Sequence, residues 1–73
     1  MIPTQRKKII AVCQYVIDVF KFQVDYSEKE VNDILGRFHP DTTTLRRYLV
    51  EYDYLARKSD GSRYWRMENK TSQ

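Results

Sequence analysis

The stretch "YSEKEVNDILGRFHPDTTTLRRYLVEYDYL", from Tyr26 to Leu55, contains two helix starts so close together that few folds remain open. Ser27 followed by Glu30 is a capping box. The Ser hydroxyl can take an orphan backbone N–H at the third helical position, and the Glu can reach back to the N–H of the cap. Tyr26 and Val31 occupy the two positions of a hydrophobic staple. Val31, Ile34, Leu35 and Phe38 follow as one apolar stripe, while Glu28 and Glu30 suit the positive end of the helix dipole. Gly36 marks the last turn or a close packing point. Pro40 then discourages helix at His39, and Asp41 caps a second helix running from Asp41 to about Tyr52. Its buried stripe is Leu45, Tyr48, Leu49 and Tyr52. Its outward face is Thr43, Arg47 and Val50, flanked by Thr44, Arg46 and Glu51. Two short helices joined by so few residues have the spacing of a helix-turn-helix.

Upstream, "TQRKKIIAVCQYVIDVF" places Ile9, Val12, Cys13, Val16 and Phe20 at spacings of three and four. That predicts an amphipathic helix with Thr4 as its N-cap. "KFQVDY" alternates Phe22, Val24 and Tyr26 with polar residues, which predicts an extended connector or one short strand. Downstream, the Asp60-Gly61 turn pair lies between two short segments, so a β-hairpin is expected, with Leu55, Trp65 and Met67 turned inward. The reading is therefore α+β: a winged helix-turn-helix of three helices with a C-terminal β-hairpin wing and a short strand after the first helix. Residues 1–67 form a single domain, and 68–73 a polar tail expected to fray.

Composition agrees with one small core. The chain has 73 residues, 41% hydrophobic and 14% aromatic, which is enough for one domain and too few for two. Cys13 is the only cysteine and His39 the only histidine, so neither an internal disulfide nor a zinc site can be assembled. Cys13 reads as a small buried hydrophobe and His39 as a loop residue. The N-terminal stretch has no apolar run long enough for a leader or a membrane span, so a cytoplasmic location is expected. With no Ser/His/Asp or Cys/His set and no Gly-rich phosphate loop, the chain does not read as an enzyme, and no cofactor or small-molecule ligand is expected.

The net charge is +3, and its placement matters more than its size. Glu28, Glu30 and Asp33 make the first helix of the pair acidic, whereas basic residues gather toward the C-terminus, with a second cluster at Arg6, Lys7 and Lys8. In a helix-turn-helix the second helix enters the major groove. Here it would offer Thr42, Thr43, Thr44 and backbone N–H groups for phosphate, and Arg46 and Arg47 for phosphate or guanine edges. The wing would lay Arg57, Lys58, Arg63 and Arg66 against the adjacent backbone. Glu51 near the groove face would repel phosphate, and Asp60 sits at the wing tip.

The blocks Tyr26 to Leu35, Asp41, Thr44 to Tyr52, Arg57, Tyr64 and Trp65, together with Ile2-Pro3 before Lys7 and Lys8, closely resemble the bacterial DUF2087 family. Its pattern is Tyr-Ser-Glu-x-Glu-Val-Asn, then Asp and Thr-Leu-Arg-Arg-x-Leu-Val-(Asp/Glu)-Tyr, then a Tyr-Trp pair. The resemblance spans nearly the whole chain. It implies a winged-helix-like fold and a nucleic-acid-binding role, either stand-alone or joined to helix-turn-helix regulators. One departure is Asp53, where such proteins commonly carry Gly; a left-handed helix end suits Gly best. Asn32 lies off the apolar stripe of its helix, where a bond to a neighbouring loop is expected.

Two functions follow. The first is a DNA-binding domain of a transcriptional regulator, with double-stranded DNA as partner and a homodimer or partner regulator adding affinity. The second is a winged-helix docking or dimerisation module without DNA contact, for which the acidic helix would suit a basic partner.

Overall fold

The computed structural model describes residues 5–68. Along the chain it runs α1 (Arg6–Ile17), β1 (Asp25–Tyr26), α2 (Glu28–Leu35), α3 (Thr42–Glu51), β2 (Leu55–Arg57) and β3 (Tyr64–Arg66). Three helices and one antiparallel sheet make the class α+β. The strand order is β1-β3-β2, so the last strand is central and the short strand after α1 is brought beside it. No helix among the described residues is long and apolar enough to cross a membrane. The expected tail lies outside the described residues except for Glu68, and so do Ile2 and Pro3.

α1 buries Ile9, Cys13 and Val16 of the stripe its spacing predicts, together with Ile17, and leaves Val12 half-buried. Burial pushes the Cys13 thiol up to about 11, so it behaves as an inert apolar side chain. The helix is shorter than the stripe suggests. It ends at Ile17, and a turn closed by the Phe20 N–H to the Ile17 carbonyl (3.0 Å) carries Phe20 into the core. The cap position falls on Gln5, whose side chain makes no capping bond, rather than on Thr4, which lies outside the described residues.

The alternation in "KFQVDY" is broken by Gln23, which adopts φ 61°. Phe22 and Val24 therefore stay exposed, and only Asp25–Tyr26 pairs as strand. The Tyr26 hydroxyl accepts the Lys21 N–H at 2.8 Å, closing this loop, and its ring meets Phe20 edge-on at 5.1 Å.

α2 starts as its capping box dictates. The Glu30 N–H donates to Ser27 Oγ (3.1 Å), and the Ser27 N–H donates to Glu30 Oε1 (2.8 Å). Val31 and Leu35 are fully buried, and Gly36 is the C-cap, as a last-turn residue should be. In the connector, His39 Nδ1 accepts the Asp41 N–H at 3.0 Å, so the histidine is a loop residue that helps fold the turn into α3.

α3 ends in a full Schellman motif. The Tyr54 N–H reaches the Leu49 carbonyl (2.8 Å), and the Asp53 N–H reaches that of Val50 (3.1 Å). Asp53 sits at φ 67°, the left-handed position expected of it. In the hairpin, the loop is wider than a two-residue turn. The Lys58 N–H bonds to the Arg63 carbonyl (3.0 Å), the Gly61 N–H to the Lys58 carbonyl (2.9 Å), and Gly61 takes φ 76°. Asp60 Oδ1 accepts both the Ser62 N–H and hydroxyl.

One expectation is corrected here. Trp65 does not turn inward. Leu55 pairs with Arg66 and Arg57 with Tyr64, which puts Tyr64 on the core face with Leu55 and turns Trp65 to the outer face opposite Ala56 and Asp25. Tyr64 is accordingly 2% exposed, whereas Trp65 is only half-buried. Met67 is likewise only half-buried.

Candidate nucleic-acid interface

Burial of Leu45 and Leu49 decides which side of α3 faces outward. At its start, Asp41 caps the helix. Oδ1 accepts the Thr44 N–H (3.2 Å), and Oδ2 accepts the Thr44 hydroxyl (2.8 Å). The Thr44 hydroxyl, then its N–H, hold the Asp41 carboxyl below its ordinary value near 3.8, with His39 and Arg47 adding attraction. The Thr44 groups proposed for phosphate are thus committed to the cap, and the Asp41 charge occupies the helix N-terminus. Thr42 is half-buried against the connector, while Thr43 is exposed.

The two adjacent arginines have different surroundings. The Arg46 side chain is 17% exposed, its Nη1 donates to Asn32 Oδ1 on α2, and its Nη2 lies 3.7 Å from Glu28 Oε2. Asn32 therefore has the structural bond expected of it, to a helix rather than to a loop. Arg47 is exposed, and no hydrogen bond or ion pair holds its guanidinium among the described residues.

Beside this face lies an open cleft of about 640 Å³ between α3 and the hairpin. Thr43, Arg46, Arg47, Tyr48, Val50 and Glu51 line it from α3, and Arg57 and Tyr64 from the hairpin. Val50, expected to face outward, is half-buried and forms part of the apolar wall. Among the described residues, no group of three His, Cys, Asp or Glu could hold a metal ion.

The remaining hairpin cations divide in the same way. Arg57 is exposed, with one long bond from Nη2 to the Ser59 carbonyl (3.4 Å), and Lys58 is exposed beside the turn. Arg63 pairs with Asp25 at 3.1 Å, both more than half exposed, a rim contact worth little and easily exchanged. Arg66 turns away from the cleft. Its Nη1 donates to the Phe20 carbonyl (3.0 Å), its Nη2 is 3.6 Å from Asp18 Oδ1, and its guanidinium stacks 4.0 Å above the Phe22 ring.

Of the nine residues singled out in sequence, then, Thr43, Arg46, Arg47 and Arg57 meet at one cleft, with Arg46 built into its wall. Tyr48, expected in the buried stripe of α3, also borders the cleft, as does Tyr64. The pairing of Arg57 with Tyr64 sets the two hairpin residues of the cleft side by side, and no local pattern encodes it.

A family model described as "Uncharacterized protein conserved in bacteria (DUF2087)" matches residues 1–66. No curated protein and no solved structure matches the chain.

Proposed function

The chain belongs to the DUF2087 family, and we propose that it acts as a double-stranded-DNA-binding domain of winged-helix type, in a bacterial transcriptional regulator or a module of one. The observation that carries the reading is the convergence of Thr43, Arg47 and Arg57 from two separate elements on one open cleft. The element order, with β1 returned to the side of β3, also suits a winged helix-turn-helix. Arg47 reaches base edges, Arg57, Lys58 and Arg63 neutralise phosphates beside them, and the Thr43 hydroxyl donates a hydrogen bond to a phosphate oxygen. Arg46 and Arg66 act instead by holding the framework.

The acidic face of α2 is less of an obstacle than its sequence suggests. Glu28 is drawn to Arg46, Glu30 closes the capping box and Asp33 pairs with Lys29 at 3.2 Å. The alternative, a docking or dimerisation module, draws on Tyr15, Val19, Phe22 and Val24, large apolar side chains left exposed. Fluorescence anisotropy of a labelled duplex at two salt concentrations separates the two. Phosphate binding weakens steeply as salt rises, with each neutralised phosphate adding about 0.9 to the log–log slope. Absence of binding at low salt would overturn the DNA reading.

A further inference from the structure

Glu51 is an odd residue for the place it occupies. It closes α3, where the helix dipole disfavours negative charge, and the last turn offers no basic residue to offset it. It follows Arg47 by four residues and so shares its face of the helix, yet among the described residues no ion pair joins it to Arg47 or to Arg57. Its exposed carboxylate therefore lines the cleft without a donor and without helping the helix.

From this placement, and resting on the DNA reading above, we infer that Glu51 is a specificity-determining residue that accepts a hydrogen bond from cytosine N4 in the major groove. A carboxylate is acceptor-only, so phosphates repel it and it needs a donor. The donors on major-groove base edges are the amino groups of cytosine and adenine. Adenine sets its N7 acceptor beside N6, which a carboxylate opposes, whereas cytosine offers N4 without an acceptor on its own groove edge. Arg47 lies one helical turn away, about 6 Å along the axis or on the order of two base-pair steps, and takes the N7 and O6 acceptors of guanine. The pair thus selects a cytosine and a guanine close together, and Glu51 gives up some general affinity for that choice.

The test is selection from a randomised duplex library with the wild type, Glu51→Ala and Glu51→Gln, with affinity for random duplex measured for each. The wild type should enrich cytosine at one position within about two base pairs of a guanine that depends on Arg47. Glu51→Ala should lose that cytosine preference by about tenfold while binding random duplex more tightly. Glu51→Gln should move the preference toward adenine, whose N6 and N7 match a carboxamide. If Glu51→Ala binds all duplexes more tightly but keeps the same base preferences, the carboxylate only repels phosphate and the inference fails while the DNA reading stands. A wild type that binds duplex without any preference for cytosine also overturns it. A wild type that binds no duplex overturns the DNA reading together with it. Neither variant should melt below the wild type, since the charge removed opposes the dipole.

Discussion

Arg46 Nη1 donates to Asn32 Oδ1, tying α3 to α2 through the guanidinium of a side chain only 17% exposed. The carbonyl oxygen meets a charge already removed from most of its water, and Glu28 stands on the other side of the same group. This bond joins α3 to α2, so it belongs to the framework of the proposed interface rather than to its contact surface.

Replacing Asn32 with Ala should therefore lower stability by about 1.5–3 kcal/mol, the range for a hydrogen bond to a charged group. A urea titration reads this as a lower midpoint. Arg46→Lys should not restore what Arg46→Ala loses, because an ammonium cannot reproduce the fork that spans Asn32 and Glu28. An unchanged midpoint for Asn32→Ala would mean that the bond adds nothing.

Arg66→Ala separates framework from contact on the hairpin. It removes the bond to the Phe20 carbonyl and the cover over Phe22, and should destabilise by about 2 kcal/mol. Affinity for DNA, measured where both proteins are folded, should stay within about twofold, whereas Arg57→Ala should weaken all sequences alike and reduce the salt slope by about 1. A loss of DNA affinity in Arg66→Ala as large as that in Arg57→Ala would place Arg66 in the interface.

Asp53→Gly should stabilise the protein by roughly 0.5–1 kcal/mol. Asp53 holds φ 67° at the end of α3, a conformation that is costly for residues with a Cβ and free for glycine. The gain should appear as a higher thermal midpoint. A lower midpoint would show that the Asp side chain contributes more than its backbone conformation takes away.

Acid should weaken the fold partly through Asp41 and Asp60. The Thr44 hydroxyl and N–H hold Asp41 low, and the Ser62 hydroxyl and N–H do the same for Asp60. With folded values below the unfolded one, their contribution is complete above about pH 4 and disappears as pH falls through the folded values. Between about pH 5 and pH 2, thermal midpoints of Asp41→Asn should fall less steeply than those of the wild type, since an Asn cap does not titrate. Identical slopes would show that the cap does not favour the carboxylate.

Much of the fold can be read from sequence because its signals are local. Ser27 with Glu30, and Asp41 before Thr44, each name a helix start by a bond that the structure contains. Asp53 could be marked as left-handed because the family the chain resembles commonly carries Gly there. The misses are relational. Tyr64 and Trp65 differ by one position, and only the pairing of β3 with β2 decides which faces the core. Gln23 reverses the expected alternation without any glycine to announce it. The distinction between Arg46 and Arg47 is of the same kind. Adjacent helical residues point about 100° apart, and which is covered depends on Asn32, fourteen residues earlier on another helix. The opening between α3 and the hairpin depends on both elements at once, so the site's cations are legible singly and their meeting is not.

The most direct measurement is an amide NMR titration of the protein with random double-stranded DNA at low and high salt. The account predicts shifts at Thr43, Arg47, Glu51, Arg57 and Lys58 that fade as salt rises, with Asn32, Phe20 and Phe22 unmoved. Shifts confined to Tyr15, Val19, Phe22 and Val24, or none at low salt, would contradict it.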